Sequence, residues 1–421
     1  METVQSAREA VLKVSRRLPG EVVGLADGLG RTLDETVRAD RDMPPFDKAL
    51  VDGYAVRSSD LEVAGQVEFA VVDEIDAGRV PRGELGPGEA ALVMTGAPLP
   101  LGADAVVMLE DAERTGNRVR LGGPVRPGLN RLERGVEYRA GAELMTAGTV
   151  LTPPRLGVLA AVGQVAVRVV QRPRVAVVTT GDELVGPDQV PGPGQIRDSN
   201  GVVLGSLVRQ LGSELVAVER LPDQEDRLRE GLGALLAGPR GETAHGGSEA
   251  DVVLVSGGVS AGRRDLVPRV LEELGVQRIF HKVRVKPGKP LWFGVGSERE
   301  GRPPTLVFGL PGNPVSGIVS VLLFVAPALA VLAGRPGWRP RTELRILASP
   351  YRHRGPRITY HPARRLSEGL VEPLKWMGSA DLRTVSEADG FVVFEAGDCD
   401  YAPGAEVLFV AWPSTWGAGE A

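Results

Sequence analysis

Residues 256–265 read SGGVSAGRRD, between the apolar run ADVVLV (250–255) and the helical pattern LVPRVLEELG (266–275). A strand that passes to a helix through Gly257, Gly258 and Gly262 exposes backbone N–H groups, and the helix start adds positive potential. Together these favour a phosphate or another oxyanion. The stretch is neither GxxxxGK[ST] nor GxGxxG. Ser260 can donate to a ligand oxygen. Asp265, at the helix start, is also a plain dipole or capping residue. A glycine turn made for close packing is the plainer alternative for the whole stretch.

Working outward, strand and helix signals alternate. VAVVTT (175–180) is a β-branched strand, and SNGVVLGSLVRQLG (199–212) a helix with Ser199 or Asn200 as its cap and Gly212 as its stop. DRLREGLGALL (226–236) is a second helix, and PTLVFG (304–309) a further strand. This spacing predicts a mostly parallel sheet covered on both sides, with ligands at the carboxyl ends of its strands. VSGIVSVLLFVAPALAVLAG (315–334) carries no charge and is long enough to span a bilayer. It follows a strand and a glycine-proline loop, contains Pro327 and has no partner span, so a buried helix is expected.

The flanks read differently. Residues 340–415 hold short alternating runs (RTELRILAS, ITYHPARRLS, LVEPLKW, DGFVVFEAG, AEVLFVAW), which predict a small β-domain or barrel. Residues 45–138 also read as β, with DGYA (52–55) as a tight corner around a buried Tyr54. PGPGQIR (191–197) and HGGSEA (245–250) read as loops.

At 421 residues the chain predicts roughly two to four domains. The net charge of −5 argues against a nucleic-acid partner. The single cysteine, Cys399, excludes an internal disulfide and a thiolate zinc site, and the four histidines show no metal-ligand spacing. The N-terminal segment lacks a signal-type apolar core and reads as an amphipathic helix bearing Ala7, Val11, Val14 and Leu18. A reducing cytoplasm is the expected compartment.

Three more stretches suit anion or metal chemistry. In HKVRVKPGKPLWFG (281–294), Lys282, Arg284 and Lys286 share one face if the segment is extended, with Lys289 just beyond a Pro-Gly turn. GLPGNPVSG (309–317) joins a strand to a helix and forms a second cradle, with Ser316 near the helix start. TGDEL (180–184) puts Asp182 and Glu183 at a strand end, which suits Mg²⁺ or simply a helix N-terminus.

Seven motifs then appear in one chain order: PPFDKALVDGYAVR, MTGAPLPLGADAVVMLED, TTGDEL, GQIRDSN, SGGVSAGRRD, VKPGKP and GLPGNPVS. That set resembles the MoeA family of molybdopterin molybdenumtransferases, which includes the gephyrin E domain. The likeness extends to WMGSADLRTVSEADGFVVF (376–394).

The resemblance implies a multidomain α/β fold. A discontinuous linking domain (1–44 and 139–171) carries an inserted β-rich lobe (45–138). A MogA-like α/β molybdopterin-binding domain (172–337) and a C-terminal β-barrel-like domain (338–421) follow. It further implies a cytoplasmic homodimer, with no membrane and no nucleic acid. The implied active site lies between the α/β domain of one subunit and the inserted lobe of the other. The implied partners are a MogA-like adenylyltransferase and molybdoenzyme maturation proteins.

The implied reaction places molybdenum from molybdate onto the dithiolene of adenylylated molybdopterin and releases AMP, with Mg²⁺ assisting. By position the resemblance assigns function to Asp52, Thr95, Glu183, Asp223, Asp265, Lys282 and Lys286. Substrate-binding roles fall on Gly257, Gly258, Ser260, Gly262, Lys289, Pro311, Gly312, Asn313, Pro314 and Ser316. Glu183 and Asp265 are the implied Mg²⁺ ligands, and Asp52 and Thr95 are expected to reach across from the partner subunit. The chain departs from the family pattern at Glu137, where Asp is usual, and at Ala49, Val51 and Arg197. Adenylylation of molybdopterin itself and a non-catalytic scaffold of the gephyrin type are the rival readings.

Overall fold

The computed structural model describes residues 1–237, 250–259 and 266–412. Ser260, Gly262 and Asp265, and the loop expected at 245–249, lie outside them.

Two compact units divide the chain. One comprises residues 1–35, 148–156 and 166–421, the other residues 36–147 and 157–165. In the first, unbroken β-branched runs give strands apolar on both faces, as a covered sheet requires. Its six strands are β1 (Arg174–Thr180), β2 (Glu214–Leu221), β3 (Val252–Ser256), β4 (Gln277–His281), β5 (Trp292–Val295) and β6 (Leu306–Leu310). They lie in the order β2-β1-β3-β6-β5-β4. The first four in that order are parallel, while β5 and β4 add antiparallel at one edge.

Helices α1 (Asn200–Gln210), α2 (Glu225–Ala237), α3 (Val267–Glu273) and α4 (Pro314–Leu332) cover the sheet. Val175, Val177, Leu254 and Phe308 pack on one face with Leu204 and Val208 of α1 and Phe324 of α4. Ala176, Val178, Val253 and Val255 pack on the other with Leu228 and Leu232 of α2 and Leu271 of α3. Helix α4 is long and apolar enough to cross a membrane, but 94% of its apolar stretch is buried inside the protein. A wide π-turn at Val321–Val325 precedes Pro327, which has no N–H to give the preceding turn.

Several local expectations are corrected. Ser199 stands at the N-cap position of α1 as expected, but its side chain makes no capping bond; the Asp198 carboxylate accepts the Gly201 N–H at 3.0 Å instead. The N-terminal helix spans Val4–Val14 and buries Ala7 and Val11, whereas Leu18 is buried beyond its end. Within 191–197, Ile196–Arg197 pairs in parallel with Leu184–Val185 rather than forming only loop.

The C-terminal strands close on themselves. Thr342–Leu347, Ile358–Arg365, Leu370–Pro373, Gly390–Phe394 and Glu406–Ala411 form a five-stranded barrel around Phe394 and Phe409. Val285–Lys286 adds to its outside, with Val285 beside Ile358 and Lys286 beside Thr359.

The second unit holds a six-stranded sheet that includes Gly53–Val56, Gly65–Ile75 and Glu89–Val93. Tyr54 is buried as expected, but in the middle of a strand rather than at a corner. The Gly53 position admits no side chain, because a Cβ there would lie 2.1 Å from the Val107 carbonyl oxygen.

Candidate active site

The parallel strands β1, β3 and β6 end together, since Thr179 is in register with Ser256 and Ser256 with Leu310. The loops that leave them, with the start of α1, enclose a cleft of about 590 Å³. Its wall includes Thr180, Glu183, Asp198, Asn200, Asp223, Gly257, Gly258, Pro311, Gly312, Asn313 and Pro314. Three of these carry carboxylates, and Arg197 is the cation among the described residues lining it.

Glycine is required at the floor. Gly257 has φ 103° and Gly258 φ 62°. A Cβ on Gly257 would meet the Thr180 carbonyl oxygen at 2.5 Å. Asp198, although acidic, is committed: one oxygen caps α1 and the other accepts the Thr179 hydroxyl at 2.7 Å. Asp223 is held by its backbone N–H, which donates to Asp182 Oδ1 at 3.1 Å.

A second cleft, also about 590 Å³, adjoins the first through Pro290, Pro311 and Asn313. Its wall carries Lys286, Lys289 and Arg357, together with Ser316, Ser379, Tyr351, His361 and Trp376, and no carboxylate among the described residues. Three cations facing no acid attract a compact anion. The indole N–H of Trp376 is shielded and has no partner among the described residues. Asn313 ties the two walls together by donating to Ser379 Oγ at 2.8 Å.

Tyr351 and His361 are locked behind the cations. The His361 ring nitrogen Nε2 lies 2.8 Å from the Leu374 carbonyl, which can only accept, so Nε2 carries the proton. Nδ1 therefore accepts from the Tyr351 hydroxyl at 3.1 Å. Burial lowers the His361 pKa to about 4, the Leu374 carbonyl acts against this, and the charge of Lys286 adds to the lowering. The imidazole is neutral at physiological pH.

In the second unit, Asp52 and Thr95 meet because Gly53 pairs with Val93 across antiparallel strands. Thr95 gives Asp52 its backbone N–H and its hydroxyl, each at 2.7 Å.

The structure thus brings Glu183, Asp223, Gly257, Gly258, Pro311, Gly312, Asn313 and Pro314 to one cleft, and Lys286, Lys289 and Ser316 to the next. Lys282 lines neither. Its φ of 77° breaks the extended run that would have put 282, 284 and 286 on one face. Its carbonyl instead accepts the Glu2 N–H. Sequence reading missed His361 and Trp376, which sit in alternating strand-like runs, and Tyr351 and Arg357, which fall between those runs. It also missed Asn200, whose only signal was its position in a helix-start motif.

A model of the MoeA N-terminal region (domain I and II) matches residues 2–163. A probable molybdopterin binding domain matches residues 176–331, and the MoeA C-terminal region (domain IV) matches residues 345–412. A molybdopterin molybdenumtransferase of Nostoc sp. is 35% identical over 96% of this chain and 91% of its own. One of Synechococcus elongatus is 33% identical over 96% of this chain and 97% of its own. A crystal structure of the molybdopterin biosynthesis MoeA protein from Pyrococcus horikoshii superposes with a TM-score of 0.81, at 29% identity, over 98% of this chain and 100% of that one. These matches, over a doubly covered α/β sheet with a cleft at its strand ends beside a closed β-barrel, place the chain among the multidomain α/β enzymes of molybdenum cofactor synthesis. Within that class the chain belongs to the MoeA family.

Proposed function

We propose that this chain, a molybdopterin molybdenumtransferase by family, works across the two adjoining clefts. Adenylylated molybdopterin occupies the acidic cleft at the ends of β1, β3 and β6, and molybdate occupies the cationic cleft beside it. The observation that carries this reading is the segregation of charge. Lys286, Lys289 and Arg357 line one cleft with no acid among the described residues, while Glu183, Asp198 and Asp223 line the other.

Molybdate is a compact dianion, and ammonium and guanidinium groups with no competing carboxylate bind it by charge-assisted hydrogen bonds. Ser316 and Ser379 add neutral donors. In the acidic cleft the glycines of 257–258 let a planar or phosphorylated group approach the backbone. In the reaction the two dithiolene sulfurs displace two molybdate oxygens, which take up the thiol protons and solvent protons and become water, while one water is consumed in cleaving the phosphoanhydride; AMP leaves and molybdenum stays bound through the two sulfurs.

Mg²⁺ typically takes one or two carboxylates and completes its shell with water and phosphate oxygens. Glu183 and Asp223 fit such a site. Among the described residues no cluster of three or more His, Cys, Asp or Glu forms a closed cage. Bound there, the ion would offset phosphate charge next to the carboxylates and polarise the phosphoanhydride.

The four-part domain division, the homodimer, and completion of the site by Asp52 and Thr95 of a second copy belong to the same proposal. The test is molybdate-dependent release of AMP from adenylylated molybdopterin by the purified protein, with and without Mg²⁺. Release that needs molybdate and rises with Mg²⁺ supports the reading. Synthesis of the adenylate from molybdopterin and ATP, without such release, overturns it.

A further inference from the structure

The acidic cleft contains two shielded, uncharged side-chain oxygens that have no hydrogen-bond partner among the described residues. Asn200 is the first residue of α1. Its amide nitrogen donates to Ser256 Oγ at 2.8 Å and to the Gly312 carbonyl at 2.6 Å. A backbone carbonyl only accepts, so the amide cannot be flipped, and Oδ1 is fixed as an acceptor. That Oδ1 is buried and has no donor among the described residues. Beside the glycine floor, the Thr180 hydroxyl is also buried with no partner among the described residues. Thr180 is only 4% exposed and lines the same cleft. Its Oγ1 lies 2.8 Å and 3.0 Å from where side chains on Gly257 and Gly258 would begin.

A buried acceptor without a donor costs free energy, so its retention at a cleft wall calls for a ligand that supplies the donor. The neighbouring acid cannot do the same work, because both Asp198 oxygens are occupied by Gly201 and Thr179. A neutral amide carbonyl and a hydroxyl suit a neutral N–H rather than a cation. They also suit a flat group, because the floor beneath them has no side chains.

We infer that Asn200 and Thr180 are specificity-determining residues that read an N–H edge of a heterocycle. Asn200 Oδ1 accepts from an exocyclic amino group, and Thr180 supplies a second contact. The inference rests on the reading that adenylylated molybdopterin occupies this cleft. That substrate carries two such edges, one on the pterin and one on the adenine.

The test uses the full-length protein and three probes: 6-hydroxymethylpterin, its 2-deamino-2-oxo analogue, and AMP. Affinities are followed by ligand or tryptophan fluorescence, and molybdate binding is measured separately by calorimetry. The wild type should prefer the pterin over the 2-oxo analogue by about tenfold or more, because the analogue sets an acceptor against Oδ1. Asn200→Leu should bring that ratio near unity while leaving molybdate affinity within about twofold. If Asn200→Leu does not fold, the isosteric Thr180→Val replaces it and should narrow the ratio at least about threefold. If the variants weaken AMP instead, the inference stands with adenine as the group read. A folded variant that keeps the full wild-type preference overturns the inference and leaves the function intact. A wild type that binds none of the three probes overturns the reading of the cleft, and the inference with it.

Discussion

Thr95 spends both of its donors on one oxygen of Asp52: the backbone N–H and the hydroxyl each reach Oδ1 at 2.7 Å. These two bonds, the backbone one first, hold the Asp52 carboxyl below its ordinary pKa although the group is fully exposed. The carboxylate is therefore ionised and oriented before any substrate arrives.

Thr95→Val removes the hydroxyl bond and keeps the shape of the side chain. The Asp52 pKa should rise towards the usual carboxylate value, and Thr95→Ser should restore it. A carboxyl-carbon NMR titration of aspartate-labelled protein reads this directly. Since the folded pKa is depressed, the contribution of Asp52 is present above the unfolded value and fades as pH falls through the folded one. The acid limb of AMP release should move to higher pH in Thr95→Val if Asp52 acts as the ionised form.

The cationic cleft gives a second prediction. Lys286→Ala and Arg357→Met each delete one charge from a wall that has no carboxylate among the described residues. Each should weaken molybdate by roughly ten- to a hundredfold, the range of a charge-assisted hydrogen bond. Lys286→Arg should recover part of the loss. Calorimetric titration across a range of ionic strengths should give a shallower salt dependence for the two neutral variants than for the wild type. Lys282→Ala, whose residue lines neither cleft, should bind molybdate like the wild type.

His361 predicts an acid-side loss of stability. Burial keeps its folded pKa at about 4, so between the ordinary value near 6.5 and that point the unfolded chain binds a proton that the folded chain refuses. Stability attributable to this residue is complete above pH ~6.5 and declines as pH falls towards about 4, by roughly 3 kcal/mol at most. His361→Gln should flatten the fall in thermal midpoint across this window. The Tyr351 hydroxyl, which donates to the neutral ring, should lose its protection from solvent exchange when the histidine is protonated.

These residues also mark where sequence reading stops. The glycine cradles were legible because strand period, glycine spacing and helix start are all local signals. The barrel was legible from alternation alone. Arg357 and His361 were not, because they reach the site only when Val285–Lys286 pairs with Ile358–Arg365, more than seventy positions away in the chain. Nothing in ITYHPARR distinguishes a cleft wall from an ordinary strand. Lys282 misled for the opposite reason, since one left-handed residue turns a side chain off a face that periodicity assigns to it. Asn200 shows a third limit. The identity of a residue does not reveal which of its atoms the fold leaves unsatisfied.

The glycine floor gives the last prediction, and two similar substitutions should act with opposite sign. Gly257 has φ 103°, and a Cβ there would sit 2.5 Å from the Thr180 carbonyl oxygen and 2.8 Å from its hydroxyl. A backbone carbonyl in a central strand cannot move aside as the end of a long side chain can. Gly257→Ala should therefore cost about 2 kcal/mol or more, from backbone strain and the forced shift of β1 and β3. It should also abolish heterocycle binding, because the shift displaces Thr180. Gly233, inside α2, has helical backbone, and among the described residues its Cβ would meet only the Leu274 Cδ2 at an ordinary 3.5 Å. Gly233→Ala should stabilise by roughly 0.5–1 kcal/mol, the helix preference for alanine over glycine. Urea unfolding followed by tryptophan fluorescence measures both. A Gly257→Ala protein with wild-type stability and wild-type pterin affinity would mean that the loop after β3 has room for a side chain, and that glycine is not what shapes the cleft floor.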